Sequence, residues 1–318
     1  MTLIRKRSLI AAKLESVVGT AETLAAADSS FVAYDIEVDN ANEVFTRDQP
    51  GTLSKGASVI GARSVTFTFK VEMHGSGSVD TNPDWANTFL PACGMVAGSG
   101  NSFAVLSGSP GTTTATNRTI TAAFYHDGRV ITAAGCMGNV KFVFNNGDRS
   151  YAEFTMQGKY VDATDVALLT PTLPTVSIPR SANLTMTIGG ATPKVNSVEI
   201  DLQNVVSLRE DLTTGGGESG YCNAVIVDRN PIMNISPEAL LVATNDLYGK
   251  RDSGTLEALA LSIGGATWNQ IDIAAPKAQV ETITPGDRDG GVIDTIQYGL
   301  KRSAANDDEL TLDFVAGS

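Results

Sequence analysis

The chain has 318 residues and a formal net charge of −12, with 42% hydrophobic and only 6% aromatic residues. This length exceeds what one hydrophobic core usually serves, so two domains are expected. The hydrophobic content excludes a disordered chain, and the acidic balance argues against tight binding of free nucleic acid. Abundant Gly, Thr, Ala and Val favour β-sheets joined by many turns.

The N-terminal segment is basic. Residues 1–13 contain four basic side chains and no acid, and a short helix is predicted over 8–18. The apolar run SLIAA ends at Lys13 and Glu15, so it is shorter than the apolar region of a signal peptide, about 7–15 residues. No stretch reaches the roughly 18 apolar residues of a membrane span. The basic segment is therefore either a solvated tail or an arm that docks on an acidic neighbour in an assembly.

Alternating apolar and polar residues predict the first two strands. FVAYDIEVD (31–39) and SVTFTFKVEM (64–73) both alternate with a period of two residues. In the second segment the apolar side chains share one face and the polar side chains share the other. Residues 40–63 between them are polar, contain glycines and include Pro50. A connection of that length predicts a functional loop or a segment that a partner orders.

A helix is predicted at 83–93, and four strands follow it. Asn82 is the expected N-cap, Pro83 fits the first helical turn, and Gly94 is a natural stop. The four strands are predicted at 118–127, 130–137, 139–148 and 151–161. Residues 168–180 contain three prolines and no periodicity, which predicts a domain linker.

The order of predicted elements recurs in the second half of the chain. A strand, a shorter and glycine-rich loop, another strand and a helix are predicted at 195–204, 205–221, 223–233 and 237–248. Ser236 is the expected N-cap of this second helix, and Pro237 is its first residue. Three further strands are predicted to complete the half.

A short motif occurs once in each half. Gly-Asp-Arg precedes a Thr-apolar-Gln core at 147–157 and again at 286–297. Together with the shared order of elements, this motif indicates an internal duplication. We therefore expect two tandem domains, with boundaries at 1–178 and 179–318.

Few residues are candidates for catalysis or metal binding. TTGGGESG (213–220) lacks the Lys-Ser/Thr ending of a phosphate-binding loop, and DRDGGVID (287–294) has the wrong spacing for a calcium loop. His74 and His126 lie at strand ends with no nucleophile motif beside them. The three cysteines form no paired metal motif. The sequence predicts no enzyme, no metal site and no cofactor.

Several segments together resemble the tail tube proteins of tailed bacteriophages. The resemblance runs from KLESVVGTAETLAAADSSFVAYDIEVD through GARSVTFTFKVEMHGSGS to PDWANTFLPACG, and continues in IGGATPKVNSVEIDLQNVVSLREDL, DRNPIMNISPEALL and NDDELTLDF. It covers nearly the whole chain and consists of a diffuse pattern without a catalytic signature. The fold that it implies is mainly β, with two tandem β-sandwich or partly open barrel domains. Each domain would carry a flanking α-helix and a long extended loop.

The resemblance implies a structural virion protein of the phage tail, assembled in the host cytoplasm. Stacked rings of such proteins form the hollow channel through which DNA is ejected into the host cell. Rings in this family contain six tube domains, so two domains per chain imply a homotrimeric, pseudo-sixfold ring. The implied partners are other copies of the chain and, at the tube ends, the tape measure, distal tail and terminator proteins. DNA is a partner only in transit, and no membrane is involved.

The implied assembly gives two sets of candidate contact residues. The lumen-facing candidates are Thr66, Thr68, Glu72, Glu153, Thr155 and Gln157. The inter-ring candidates are Arg5, Lys6, Arg7, Arg47, Lys55 and Arg209. An acidic or neutral lumen lets duplex DNA slide, whereas a cationic one would hold its phosphates. The sequence leaves open which strand face lines the lumen.

A second function belongs to another class of protein. Two related β-sandwiches would also suit an adhesin or receptor-binding module of a virion or cell surface. Such a module has the same alternation and turns, but it needs neither self-assembly nor a mobile loop in each repeat.

Overall fold

The computed structural model describes residues 3–98, 100–213 and 219–316. These residues form a mainly antiparallel β structure with two short α-helices, α1 (Asp84–Phe89) and α2 (Leu247–Ser253). The strands of the first half are β1 (Ser8–Leu14), β2 (Ala33–Asp48), β3 (Lys55–Glu72), β4 (Met95–Ala97), β5 (Ser102–Val105), β6 (Ile120–His126), β7 (Arg129–Asn145) and β8 (Tyr151–Asp165). The strands of the second half are β9 (Thr185–Ile188), β10 (Val195–Asp201), β11 (Val205–Glu210), β12 (Tyr221–Asp228), β13 (Ile232–Pro237), β14 (Leu256–Ile263), β15 (Gln270–Arg288), β16 (Gly291–Lys301) and β17 (Thr311–Val315).

The N-terminal segment forms a strand, so the helix predicted at 8–18 is wrong. β1 pairs antiparallel with β6 over its whole length. Ile10, Ala11 and Ala12 are all buried, which means that both faces of the strand are covered. In a short apolar run of this kind, the periodicity of the sequence is the same for a buried strand as for a buried helical segment, so it does not separate the two.

Residues 40–63 form a long β-hairpin rather than the predicted loop. β2 and β3 pair as far as Asp48 opposite Lys55, so the turn is confined to 49–54. We call residues 42–61 the hairpin arm. Cross-strand pairing satisfies the backbone of the arm, although its polar and glycine-containing sequence lacks the alternation that marks a half-buried strand.

The first predicted helix is present but shorter, and it is capped differently. α1 is followed by a 3-10 turn at Pro91–Cys93, and Gly94 ends the turn with a φ of 78°. The N-cap residue is Pro83 rather than Asn82, and no side chain caps the helix. Gly94 stops the helical segment as predicted, because glycine adopts the left-handed conformation without steric cost.

β7 is one continuous strand where two were predicted, at 130–137 and 139–148. The expected break at Gly138 is instead a point of close approach to β8. A Cβ atom at this position would lie only 2.3 Å from the carbonyl oxygen of Thr155. The glycine is therefore required by the packing of two backbones and does not mark a turn.

The segment predicted as the second loop contains another hairpin. β11 pairs antiparallel with β12, so the loop prediction for 205–221 is wrong at both of its ends. Residues 214–218 of that prediction lie outside the described residues. The strand predicted at 223–233 is divided between β12 and β13, with a break at 229–231.

The second predicted helix, at 237–248, is misplaced. Ser236 and Pro237 belong to β13, and the helix begins only after Asp246. The carboxylate of Asp246 accepts a hydrogen bond of 2.7 Å from the backbone N–H of Gly249, which lies within α2. Pro237 lies at an irregularity in the pairing of β10 with β13, where a sheet tolerates proline, so the Ser-Pro-Glu sequence suited this strand end as well as a helix start.

The two halves of the chain share one strand order. The first half runs β1-β6-β7-β8-β3-β2, and the second runs β9-β14-β15-β16-β13-β10. The Thr-apolar-Gln cores occupy equivalent places, with Gln157 opposite Thr66 and Gln297 opposite Asn234. The Gly-Asp-Arg triplets lie at the turns of the equivalent hairpins β7-β8 and β15-β16, although the first follows β7 and the second ends β15.

One sheet connects the halves. β7 pairs with β10, from Lys141 opposite Asp201 to Asn145 opposite Ser197, and β17 pairs with β5. The main cluster of buried side chains draws on both halves. Residues 166–179 have neither helix nor strand, as expected for most of the segment predicted to be a linker, 168–180. They connect β8 to the second half.

Candidate functional site: the polar face of the sheet

The long strands of the first half carry apolar and polar side chains on opposite faces. In β3, Phe67 and Phe69 are fully buried, while Thr66 and Thr68 are partly exposed. β8 shows the same alternation around Phe154. The side chains opposite the buried ones form what we call the polar face. All six lumen candidates from the sequence lie on it: Thr66, Thr68, Glu72, Glu153, Thr155 and Gln157.

The sheet aligns these candidates in rows across its strands. Thr66 lies directly opposite Gln157, and Thr68 lies opposite Thr155. β7 continues the second of these rows, because Asn139 lies opposite Thr155 on its other side. Side chains that face each other in antiparallel strands are close enough to interact. The sequence predicted the alternation, but only the strand register produces the rows.

The second half carries a matching row. In the first half, one row of directly paired residues is Asp39, Thr66, Gln157 and Met137. In the second half, the equivalent row is Glu199, Asn234, Gln297 and Thr282. Both rows begin with an acid and contain a Gln, but the first ends at Met137, which is fully buried, whereas the second ends at the exposed Thr282. The polar face is therefore a property of both halves.

Three lysines on the polar face are paired with acids. The three ion pairs are Lys70–Asp35 at 3.0 Å, Lys141–Glu199 at 3.6 Å and Lys301–Glu281 at 2.7 Å. The hydrogen bond to Asp35 raises the pKa of Lys70 above its usual value. Pairs of this exposure contribute little to stability, but they offset the positive charge that would attract a polyanion.

A cluster of cations and aromatic rings lies at the β2 side of the polar face. The Arg149 guanidinium lies 3.9 Å from the centre of the Tyr34 ring and 2.8 Å from the Glu72 carboxylate. Lys70 lies 5.3 Å from the centre of the Tyr151 ring. Burial raises the pKa of both tyrosines. This cluster was not predicted from the sequence, although tyrosines at polar positions of two strands were a signal for it.

Three inter-ring candidates lie in the N-terminal segment. Arg7 forms an ion pair of 2.8 Å with Asp127, at the turn between β6 and β7. Arg5 and Lys6 line a shallow surface cavity with residues 33–37 of β2. The segment therefore lies along the molecule with at least one internal partner, and its contact with a neighbour stays a prediction.

The other inter-ring candidates lie on the two hairpins. Arg47 and Lys55 are on the hairpin arm, where Lys55 forms an ion pair with Asp48. Arg209 is on β11 and donates a hydrogen bond of 3.3 Å to the side-chain oxygen of Asn223. The arm brings Arg47 and Lys55 together, whereas Arg209 lies on a separate two-stranded sheet.

The hairpin arm also exposes apolar side chains, which the sequence analysis did not identify. Val44 lies opposite Ile60, and Phe45 lies opposite Val59. All four are more than half exposed, at 51–56%. Neighbouring residues in a strand point to opposite faces, so the arm presents an apolar pair on each side. Exposed apolar surface on both sides of a hairpin is typical of an interaction site.

The histidine and the two cysteines described next, which were considered for catalysis or metal binding, are buried in the fold. His74 is buried, its Nδ1 atom lies 2.7 Å from the Gly75 carbonyl oxygen, and its own carbonyl oxygen accepts a hydrogen bond from Trp85. Burial raises the pKa of the Cys93 and Cys136 thiols. In the described part of the chain, no group of three His, Cys, Asp or Glu side chains is arranged to hold a metal ion. The same residues include no helix long and apolar enough to cross a membrane.

The chain matches no protein-family model and no curated protein sequence. The features of the chain that bear on its function are therefore the repeated strand order and the polar face.

Proposed function

We propose that the chain is a structural protein of a tailed bacteriophage that self-assembles into stacked rings and forms the tail tube. The halves 1–178 and 179–318 act as two tandem tube domains, each a β-sandwich or partly open barrel. The observation that carries the proposal is the repeated strand order, joined from the first half to the second through β7 and β10. A repeated unit joined head to tail inside one chain is the start of a ring.

The number of copies follows from the repetition. If six equivalent domains close a ring, three chains supply them, and the ring has pseudo-sixfold symmetry. The tube is then a stack of homotrimers, in the virion tail, assembled in the host cytoplasm. Its proposed end partners are the tape measure, distal tail and terminator proteins. We propose no catalytic role and no cofactor.

The chemistry of the polar face supports a role as the channel lining. Thr, Asn and Gln side chains offer hydrogen bonds without net charge, and several lysines of this face are paired with acids. Three chains with a formal charge of −12 each carry −36 per ring. DNA phosphates bind cationic surfaces through counterion release, so a lining of this kind lets the duplex pass without sticking.

The test is to count the chains in an assembly of the purified protein. We expect negative-stain images of stacked rings, and a mass for the smallest ring of three chains by light scattering. A reconstruction with six chains in one ring would show that a single chain supplies one ring position, which contradicts the tandem-domain proposal.

The same experiment separates the tube from the adhesin. Protein that stays monomeric at every concentration and salt tested, and that forms no rings, would favour a β-sandwich adhesin or receptor-binding module. A tube protein has to associate with itself because its function exists only in the assembly.

A further inference from the structure

The junction inside the chain is a template for a junction between chains. Residues 141–145 of β7 pair with residues 197–201 of β10, and Val143 lies opposite Glu199. Over residues 141–143 the other side of β7 is occupied by β8. One edge of β7 in the first half therefore pairs with the outer edge of β10 in the second half.

Strand pairing identifies the equivalent residues in the opposite half. Gln157 and Gln297 occupy the same place in the two halves. Counting outward through the paired strands makes Asp39 of β2 equivalent to Glu199. The same counting makes Arg288 of β15 equivalent to Val143.

Both equivalents lie on open strand edges. Within the residues that the structure describes, β2 pairs with β3 alone, and β15 beyond Gln279 pairs with β16 alone. Asp39 is exposed, and Arg288 is partly exposed with a hydrogen bond of 2.6 Å to the Ser236 carbonyl oxygen. An open edge presents unpaired backbone N–H and C=O groups, which template pairing with another strand.

We propose that the β2 edge of one copy pairs antiparallel with the β15 edge of a second copy, with Asp39 opposite Arg288. The register of the inner junction then places Glu37 opposite Gly290 and Ala41 opposite Gly286. The central pair joins an acid to a guanidinium, whose five N–H donors serve both Ser236 and a carboxylate. Charge complementarity therefore supports the register that the internal template gives.

This contact is head to tail. Each copy has one β2 edge and one β15 edge, so one copy uses its β2 edge where the next uses its β15 edge. Such heterologous contacts produce a closed ring or an open filament. This pairing adds the contact between copies to the proposed function, and closure of the ring after three copies rests on that function. The edge pairing itself does not depend on stacking.

Cysteine cross-linking tests the register. The protein with Asp39→Cys and Arg288→Cys, in a Cys222→Ser background, should form disulfides between copies under mild oxidation. The matched control, Asp39→Cys with Thr284→Cys, moves one partner four residues along the same face of β15, roughly 13 Å at the rise of a strand. A bridge needs Cα atoms within about 7 Å, so we expect at least about tenfold less cross-linking in the control. Val143→Cys with Glu199→Cys should instead cross-link within one chain.

A second measurement requires no substitution. In assembled wild-type protein, amide hydrogen exchange should slow at residues 37–41 and 284–290 relative to the monomer, because pairing protects edge N–H groups. Equal exchange in both states overturns the proposal. Tubes that form without the 39–288 cross-link also overturn the pairing while the tube function stands. Cross-linked rings that never stack support the pairing and contradict the tube.

Discussion

Asn139 of β7 donates a hydrogen bond of 2.7 Å to the carboxylate of Asp201 in β10, across the junction of the two halves. The junction is therefore fixed by side chains as well as by the strand ladder. Asn204 strengthens it further, since its backbone N–H donates to the Asn139 side-chain oxygen at 2.9 Å. These contacts hold the halves in one orientation, which a ring with pseudo-sixfold symmetry requires.

Replacing Asn204 with alanine should weaken this junction. The side-chain amide of Asn204 donates to the carbonyl oxygens of Cys93 at 2.7 Å and Gly138 at 3.0 Å. Its loss leaves partly buried acceptors without this donor, so the free energy of unfolding should fall by about 1–3 kcal/mol. Urea denaturation of the monomer measures the change. Asn40→Ala, at an exposed position on β2, is the control and should change the free energy by less than about 0.5 kcal/mol.

Glu15 should be sensitive to replacement by its own amide. Its buried carboxylate accepts hydrogen bonds from the N–H groups of Gly19 and Gly135, both at 2.7 Å, and from the hydroxyls of Thr119 and Thr121. In Glu15→Gln, an NH2 group replaces one carboxylate oxygen, so a donor faces the N–H or O–H donors that this oxygen had accepted from. We expect a loss of about 2–4 kcal/mol in the free energy of unfolding. Glu37→Gln at the exposed β2 edge should be neutral in the same assay, and equal effects of the two would contradict this account.

Stability should depend on pH through Asp307. Burial raises the pKa of this carboxyl, but hydrogen bonds from Ser107 and Arg229 outweigh burial and hold the pKa below its usual value. A carboxyl with a depressed folded pKa stabilises the protein above its unfolded pKa of about 3.9, and this contribution is lost as the pH falls through the folded value. Asp307→Asn should therefore lower Tm near neutral pH and flatten the decline of Tm in acid.

Asp80→Asn is the matched control for that experiment. Asp80 has a φ of 48° and Asp307 a φ of 61°, so both tolerate asparagine in the left-handed conformation equally. Asp80 is exposed. If the dependence of Tm on pH changes in the same way for both variants, the hydrogen bonds from Ser107 and Arg229 are not the cause of the effect at Asp307.

Glu153→Lys tests whether the polar face lines the channel. Glu153 lies between Lys70 and Lys141 in register, so the substitution places three lysines in one row. A three-chain ring changes from −36 to −30, and the cationic row recurs in every ring. We expect intact tubes that retain DNA and particles that deliver it slowly, most strongly at low salt. Asp252→Lys, on the exposed side of α2, makes the same charge change away from this face and should not retain DNA.

Two outcomes contradict that prediction in different ways. Failure to form tubes would place Glu153 at an interface between copies. Normal delivery at every salt concentration would show that this face does not line the channel.

Phe45→Asp tests the role of the hairpin arm. Because Phe45 is 56% exposed, its replacement should change the free energy of unfolding of the monomer by less than about 0.5 kcal/mol. If the arm contacts a neighbouring ring, the same variant should form single rings that do not stack. Tubes of normal length in electron micrographs would rule out that contact. A large loss of monomer stability would show that the arm packs on its own chain.

Several local features of this fold were predictable from the sequence. Period-two alternation correctly predicted that Phe67 and Phe154 face the core and that Thr66 and Gln157 face away from it. Gly94 stops a helical segment as expected, because its conformation is a local property. The repeated order of elements was also visible, because a duplication leaves its pattern along the chain.

Other features were decided only by tertiary contacts. The N-terminal segment is a strand because β6 pairs with it, and residues 40–63 are a hairpin because β2 and β3 extend each other. Local periodicity does not encode which strand lies beside which. For the same reason the contact of Lys141 with Glu199 was not predictable from the sequence, and neither was the position of Asp39 and Arg288 on open edges. Alternation determines the face of a side chain, whereas strand register, set by the whole sheet, determines its neighbours.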